Sequence, residues 1–161
     1  MVLTSNTIKA FFVMYKAHRG QSDKAGKPYY FHPLEVAKRM DDESSVKVAL
    51  LHDVLEDTDF TISQLKREIS LNEKEIEALL LLIHSPSDTY DEYIKKVSTS
   101  SLATKVKLAD LSHNSDISRI SQPTAKDFRR CMKYQRAMNY LMKSFPSEKE
   151  KSLVYVKVLE G

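Results

Sequence analysis

Apolar residues recur at helical spacing along almost the whole chain, and only three of its 161 residues are glycine. Hairpins and tight β turns draw heavily on glycine, so this pattern argues against a turn-dense β architecture and for helices joined by short loops. Residues 6–18 place Ile8, Phe11, Phe12 and Tyr15 on one stripe, broken at Gly20. The stretch 20–31, GQSDKAGKPYYF, holds two glycines and a proline and reads as a loop. His32 precedes Pro33, a residue suited to the first helical position, and the helix that follows carries Val36, Ala37 and Met40. Ser44 or Ser45 can cap the next helix, whose run Val46, Val48, Ala49, Leu50, Leu51 is too apolar for a surface element.

Capping-box spacing opens further helices at Thr61/Gln64, Asn72/Glu75 and Thr89/Glu92. Another is expected over about 100–113, with Leu102, Val106, Ala109 and His113 on one face. Pro123-Thr124 begins a long helix to about 143, and Pro146-Ser147 with Glu150 starts the last. No repeat, low-complexity tract or linker interrupts the series. The expected fold is all-α: one compact domain over residues 1–161 with eight to nine helices.

Composition narrows the class. The chain is 42% hydrophobic and long enough to bury a sound core, which sets aside collagen-like and disordered chains. Cys131 is the one cysteine, so no disulfide scaffold is available and a reducing, cytoplasmic location is expected. No apolar run approaches the roughly 20 residues that cross a bilayer, and the start MVLTSNTIKAFF lacks the marks of an export signal. A net charge of +3 is too mild to argue for nucleic acid. Membrane and nucleic-acid partners are therefore not expected, and nothing in the chain indicates an oligomeric state.

The segment ALLHDVLEDTD, residues 49–59, carries the chemistry. An apolar helix that suddenly presents His52, Asp53, Glu56, Asp57 and Asp59 has to offset buried charge. Glu56 lies four residues from His52, and Asp57 four from Asp53, so these groups share one surface. A polar helix end with His52 packed in the core fits the same spacing. His32 at a helix start and Asp110 inside an apolar helix each read singly as structural residues. Together, His32, His52, Asp53 and Asp110 make two imidazoles and two carboxylates, a set that suits Mn, Fe or Zn better than calcium.

In order along the chain stand His32-Pro33, then A-L-L-H-D-V-x-E-D-T from Ala49, then K-L-A-D-x-x-H-N from Lys107. This order resembles the HD-type metal-dependent phosphohydrolases, and within them the hydrolase domain of the RelA/SpoT alarmone enzymes and their small stand-alone relatives. A-H-R-G-Q from Ala17 and K-x-G-x-P-Y from Lys24 belong to the same pattern, and the resemblance covers roughly residues 5–145. It implies His32, His52, Asp53 and Asp110 as ligands of one divalent ion, usually Mn²⁺, with Glu56 and Asp57 positioning and deprotonating the attacking water. The implied reaction removes pyrophosphate from the 3′ position of (p)ppGpp, a small-molecule nucleotide, leaving GDP or GTP; the alternatives are a nucleotidase or pyrophosphatase of another nucleotide built on the same site, and a module that binds a nucleotide without turning it over.

Charge counting supports this from another side. Two ligand carboxylates cancel a divalent ion, and Glu56 with Asp57 then leave the pocket negative, so a polyphosphate needs cations from elsewhere. The stretch 124–143 offers Lys126, Arg129, Arg130, Lys133, Arg136 and Lys143 against the single acid Asp127. Lys126 and Lys143 read as a solvated basic face. Arg130 and Tyr134, at i and i+4, match family positions that contact substrate phosphate; Lys24 matches a basic position at the nucleotide site, and Asn114 a nucleoside-contacting one. Two departures bear on base and phosphate recognition. A basic pair with a base-stacking Arg is typical before the K-x-G-x-P-Y loop, and here it reads Asp23-Lys24; Leu111 replaces a basic residue after Asp110.

Of the remaining candidates, His18 closes the first helix, His84 ends an apolar helix, and Cys131 packs. His113 is either a support to the metal site or a packed side chain. No phosphate-binding GxxxxGK[ST] loop or GxGxxG fingerprint is present, and no alarmone-synthesising half is expected in this length.

Overall fold

Helix starts are fixed by side chains that accept from otherwise unpaired backbone N–H groups. Reciprocal capping boxes at Thr4/Thr7, Thr61/Gln64, Asn72/Glu75, Thr89/Glu92 and Thr124/Asp127 open five helices. The structure, a computed structural model, describes residues 1–145. Its order is α1 (Ser5–Ala17), α2 (Phe31–Lys38), α3 (Glu43–Leu51), α4 (Val54–Asp57), α5 (Ile62–Glu68), α6 (Glu73–Leu81), α7 (Tyr90–Val97), α8 (Ser101–Asn114) and α9 (Ala125–Lys143). A 3-10 turn, Ile117–Arg119, joins the last two. The described residues hold no strand, only an isolated bridge between Ser22 and Pro28. The helix expected from Pro146, Ser147 and Glu150 lies outside the described residues.

Two central helices carry the core. In α3 every residue from Ser45 to Leu51 is buried, and the helix packs against α1, α2, α6 and α8. Helix α8 is buried nearly all round and packs against α2, α3, α6, α7 and α9. The buried apolar residues form one cluster running from Ala10 to Phe145. A helix buried on all faces has no solvated side for a charge, so polar groups inside α3 and α8 must find partners. Lys47 does so through Glu75 Oε2 at 2.9 Å and the Ser70 carbonyl at 2.9 Å.

Local expectations shift in four places. The buried face of α1 is Thr7, Ala10, Val13 and Met14, while Ile8, Phe12 and Tyr15 are exposed. The small Ala10 lets α1 approach α3, and the bulky stripe turns outward with Phe11 stacked on Tyr15. Asp42, not Ser44 or Ser45, caps α3, accepting from the Ser45 N–H at 2.8 Å. Helix α2 begins at Phe31, two residues before Pro33. Finally, the segment expected as one helix breaks at His52 and Asp53, which end α3 and begin α4. Among the described residues no helix is long and apolar enough to cross a membrane.

Candidate metal centre

The break between α3 and α4 turns His52 and Asp53 toward the first turn of α2 and the last turns of α8. His52 Nδ1 donates to the Ala49 carbonyl at 2.7 Å, which leaves Nε2 as the ring atom open to a proton or a metal ion. That Nε2 is buried without a hydrogen-bond donor facing it, 3.1 Å from Asp53 Oδ2 and 3.8 Å from Asp110 Oδ1. His32 Nε2 stands 3.4 Å from Asp53 Oδ2 and 3.1 Å from Asp110 Oδ1. Side chains from α2, from the α3–α4 break and from α8 thus bring imidazole nitrogens and carboxylate oxygens to within 3.8 Å of one another. His32, His52 and Asp53 form a group able to hold a metal ion, and Asp110 borders it.

Electrostatics point the same way. Burial disfavours charge on His52, yet Asp53 and Asp110 outweigh it and push the imidazole up to about 10. Both carboxylates are held well below their ordinary range despite burial, Asp53 chiefly by His52 and Asp110 chiefly by Lys107. Two ionised acids inside a core demand positive charge between them, and a divalent cation meets that demand with both imidazoles neutral. An orphaned lone pair facing two carboxylates is the arrangement such an ion requires.

Neighbouring groups fix the orientation of each candidate ligand. Tyr29 donates its hydroxyl to Asp53 Oδ2 at 2.6 Å and reaches Asp57 Oδ2 at 3.4 Å. Burial and then the Asp53 charge push that phenol up, so it remains a donor. Lys107, half-buried, donates to Asp110 Oδ2 at 2.8 Å, and Asn114 Nδ2 donates to Asp110 Oδ1 at 2.6 Å. His113 Nδ1 lies 2.7 Å from His32 Nδ1 and 3.1 Å from Arg119 Nη1. A guanidinium can only donate, so His113 accepts there and His32 Nδ1 carries the proton, leaving its Nε2 free. Burial and the nearby positive groups lower His113 to about 4, in keeping with a neutral acceptor. Of these supports, Tyr29, Lys107 and Arg119 had no role assigned from sequence. Tyr29 and Lys107 lie inside quoted motifs, whereas Arg119 carries no local signal.

Glu56 and Asp57 extend this surface along α4. Burial raises Glu56, Lys107 opposes the shift, and Asp53 adds to it. Burial and then Asp53 raise Asp57. Carboxyls raised above their ordinary value beside a cation site are better proton acceptors than free ones.

Beside the centre opens a cavity of about 340 Å³, on whose wall lie His32, Lys24, Asn114, Arg130 and Tyr134. All four residues read as substrate contacts therefore meet in one cavity that ends at a candidate metal ligand. Lys24 is lowered by burial and by the charge of Arg130, which lines the same cavity. Arg130 also pairs with Asp127 at 3.1 Å. His84 accepts no such role: its ring packs on Tyr93 with centroids 4.7 Å apart.

No family model matches the chain. It is 45% identical over 64 residues to a guanosine-3′,5′-bis(diphosphate) 3′-pyrophosphohydrolase of Haemophilus influenzae, covering 37% of this chain and 10% of that protein. It is 33% identical over 122 residues to a GTP pyrophosphokinase of Myxococcus xanthus, covering 66% of this chain and 16% of that protein. Among solved structures, a metazoan ortholog of SpoT, described as hydrolysing ppGpp, superposes with a TM-score of 0.71 over 96% of each chain at 21% identity. The chain has the fold of this SpoT ortholog. Similarity to RelA/SpoT homologues is thus present in sequence and, independently, in fold. The matched segments are only 10% and 16% of the two curated relatives' lengths.

Proposed function

We propose that the chain is a metal-dependent phosphohydrolase that removes the 3′-pyrophosphate of (p)ppGpp, yielding GDP or GTP and pyrophosphate. One observation carries this reading: a two-His, two-Asp cluster with an orphaned imidazole nitrogen lies at the end of a cavity lined by Lys24 and Arg130. Its similarity to proteins named for that reaction, and to a SpoT ortholog described as hydrolysing ppGpp, supports the same choice of substrate.

In this reading His32, His52, Asp53 and Asp110 hold one divalent ion, Mn²⁺ by resemblance to the alarmone hydrolases. When bound, such an ion activates water near neutral pH and offsets charge on phosphoryl oxygens. Glu56 takes the proton of the attacking water, and Asp57 orients that water from the next position on α4. Lys24 and Arg130 draw the polyphosphate into the cavity and keep its reacting phosphorus in line with the attack. Tyr134 borders the same phosphate side, and Asn114 meets the ribose from the rim while holding Asp110. Water adds to the 3′ phosphorus, the bond from phosphorus to the ribose 3′ oxygen breaks, and that oxygen leaves as a hydroxyl. The protein acts as one domain on a small-molecule nucleotide in the cytoplasm, where the unpaired Cys131 stays reduced.

Purified protein supplied with Mn²⁺ is expected to release pyrophosphate from ppGpp, and Glu56→Gln to lose this activity while still binding the ion. A wild-type protein that leaves ppGpp intact under those conditions refutes the assigned substrate.

A further inference from the structure

Asp23 stands where a base-stacking arginine is usual in the resembled hydrolases, yet the cavity does not lack a guanidinium. Asp23 Oδ1 accepts from the Ala25 and Lys27 N–H groups at 2.9 and 2.8 Å and so shapes the loop that carries Lys24. Its other oxygen, Oδ2, pairs at 2.8 Å with Arg119 Nη2 from the 3-10 turn after α8. Arg119 Nη1 lies 3.3 Å from the His113 carbonyl and 3.1 Å from His113 Nδ1. These bonds engage the in-plane N–H groups of both terminal nitrogens, so the guanidinium plane is fixed at its edge and a ligand would meet it on a face. Arg119 is a quarter exposed, and it lies on the cavity wall between Ala25 and Ile120.

We infer that Arg119, positioned by Asp23, is the platform on which the nucleobase of the substrate rests. The inference builds on the nucleotide reading above and names the residue that reads the base. The other flat groups on that wall are engaged. Tyr29 has its hydroxyl on Asp53 and its ring against His18 and His32, with centroids 4.9 and 5.7 Å away. The Tyr134 ring has Tyr90 at 6.4 Å and the Lys133 ammonium at 5.4 Å. Arg130 pairs with Asp127 beside Lys24, which suits it to phosphate. Arg119 differs in having both terminal nitrogens engaged, Nη2 by Asp23 and Nη1 by His113, whereas Arg130 meets Asp127 through Nη2. A guanidinium whose edge is taken up on both sides is a poor phosphate trap and a good flat surface for a base, which stacks on its delocalised π face.

Calorimetric titration with GDP and with inorganic pyrophosphate, both with Mn²⁺ present, separates base from phosphate recognition. Arg119→Ala is expected to weaken GDP binding at least tenfold, and pyrophosphate binding at least fivefold less than that, since pyrophosphate feels only the loosened hold on His113 and Asp23. Arg119→Lys keeps the charge and most of the stem, so it serves if the alanine variant does not fold; it is expected to weaken GDP binding at least fivefold. Equal loss for both ligands, no loss for GDP, or full affinity in Arg119→Lys overturns the platform. So does a wild-type protein that binds no GDP. A wild type that binds GDP through Arg119 but leaves ppGpp intact refutes the proposed reaction and upholds this inference. Active wild-type protein whose Arg119 variants bind GDP unchanged does the reverse.

Discussion

Asp53 shows what a buried carboxylate needs before it can hold an ion. One of its oxygens faces both imidazoles and also accepts the 2.6 Å hydrogen bond of Tyr29, so the phenol sets the direction of its lone pairs. Groups that orient metal ligands in this way typically change metal affinity 10–100-fold when removed. Tyr29→Phe keeps the ring against His18 and His32 and deletes only the hydroxyl. It is expected to weaken Mn²⁺ binding about tenfold by calorimetry, with little change in thermal stability of the ion-free protein. Unchanged affinity would show that Asp53 is oriented without it. His52, Asp53 and Asp110 were legible as candidates because each is a polar residue in an apolar helix. Tyr29, 24 residues from Asp53, and Arg119, 96 from Asp23, were not, since their roles are made by contacts between distant segments.

At the scale of the helix, α3 illustrates where local sequence decides and where packing does. Its apolar run announces burial, but Ser44 and Ser45 look as competent to cap it as Asp42. The structure chooses Asp42, whose carboxylate takes both the Ser45 N–H and the Ser45 hydroxyl and pairs with Lys105 at 3.2 Å. Burial alone would raise this carboxyl; the Ser45 bonds and Lys105 outweigh it and bring it below its ordinary 3.8. A lowered folded-state value means that its stabilisation is present above the unfolded value and fades as pH falls through the folded one. Asp42→Ala is expected to cost about 1 kcal/mol at pH 7 in denaturant titration, with the gap to wild type closing below about pH 3.8. A gap that persists in acid would assign the loss to packing instead. Helix α1 makes the opposite point. Its aromatic stripe has the stronger periodic signal, yet Thr7, Ala10, Val13 and Met14 face the core, and among them the small Ala10 permits close approach to α3.

Across the whole molecule, the candidate centre is where several helices bring charge into one part of the core. Helices α2, α3, α4 and α8 meet there, and each brings charge or an unpaired lone pair into a region otherwise filled by the apolar cluster. Sequence order alone could place His32, His52, Asp53 and Asp110 in one list; only the packing of α3 against both α2 and α8 brings them within a few ångströms. Binding at such a junction is coupled to global stability, because the unfolded chain does not assemble the four groups. An ion at 100 times its dissociation constant adds about 2.7 kcal/mol, which for a chain of this size raises Tm by roughly 5–10 °C. Thermal melts with saturating Mn²⁺ and with a chelator are expected to differ by that amount. Asp110→Asn removes one of the two charges that call for the cation while keeping the shape of the side chain. Its chelated form is expected to melt below the chelated wild type, because Lys107 loses its carboxylate partner, and Mn²⁺ is expected to move it by less than half as much. If Mn²⁺ shifts both proteins equally, the ion binds elsewhere on the surface, and the meeting of α2, α3 and α8 is a packing junction rather than a metal centre.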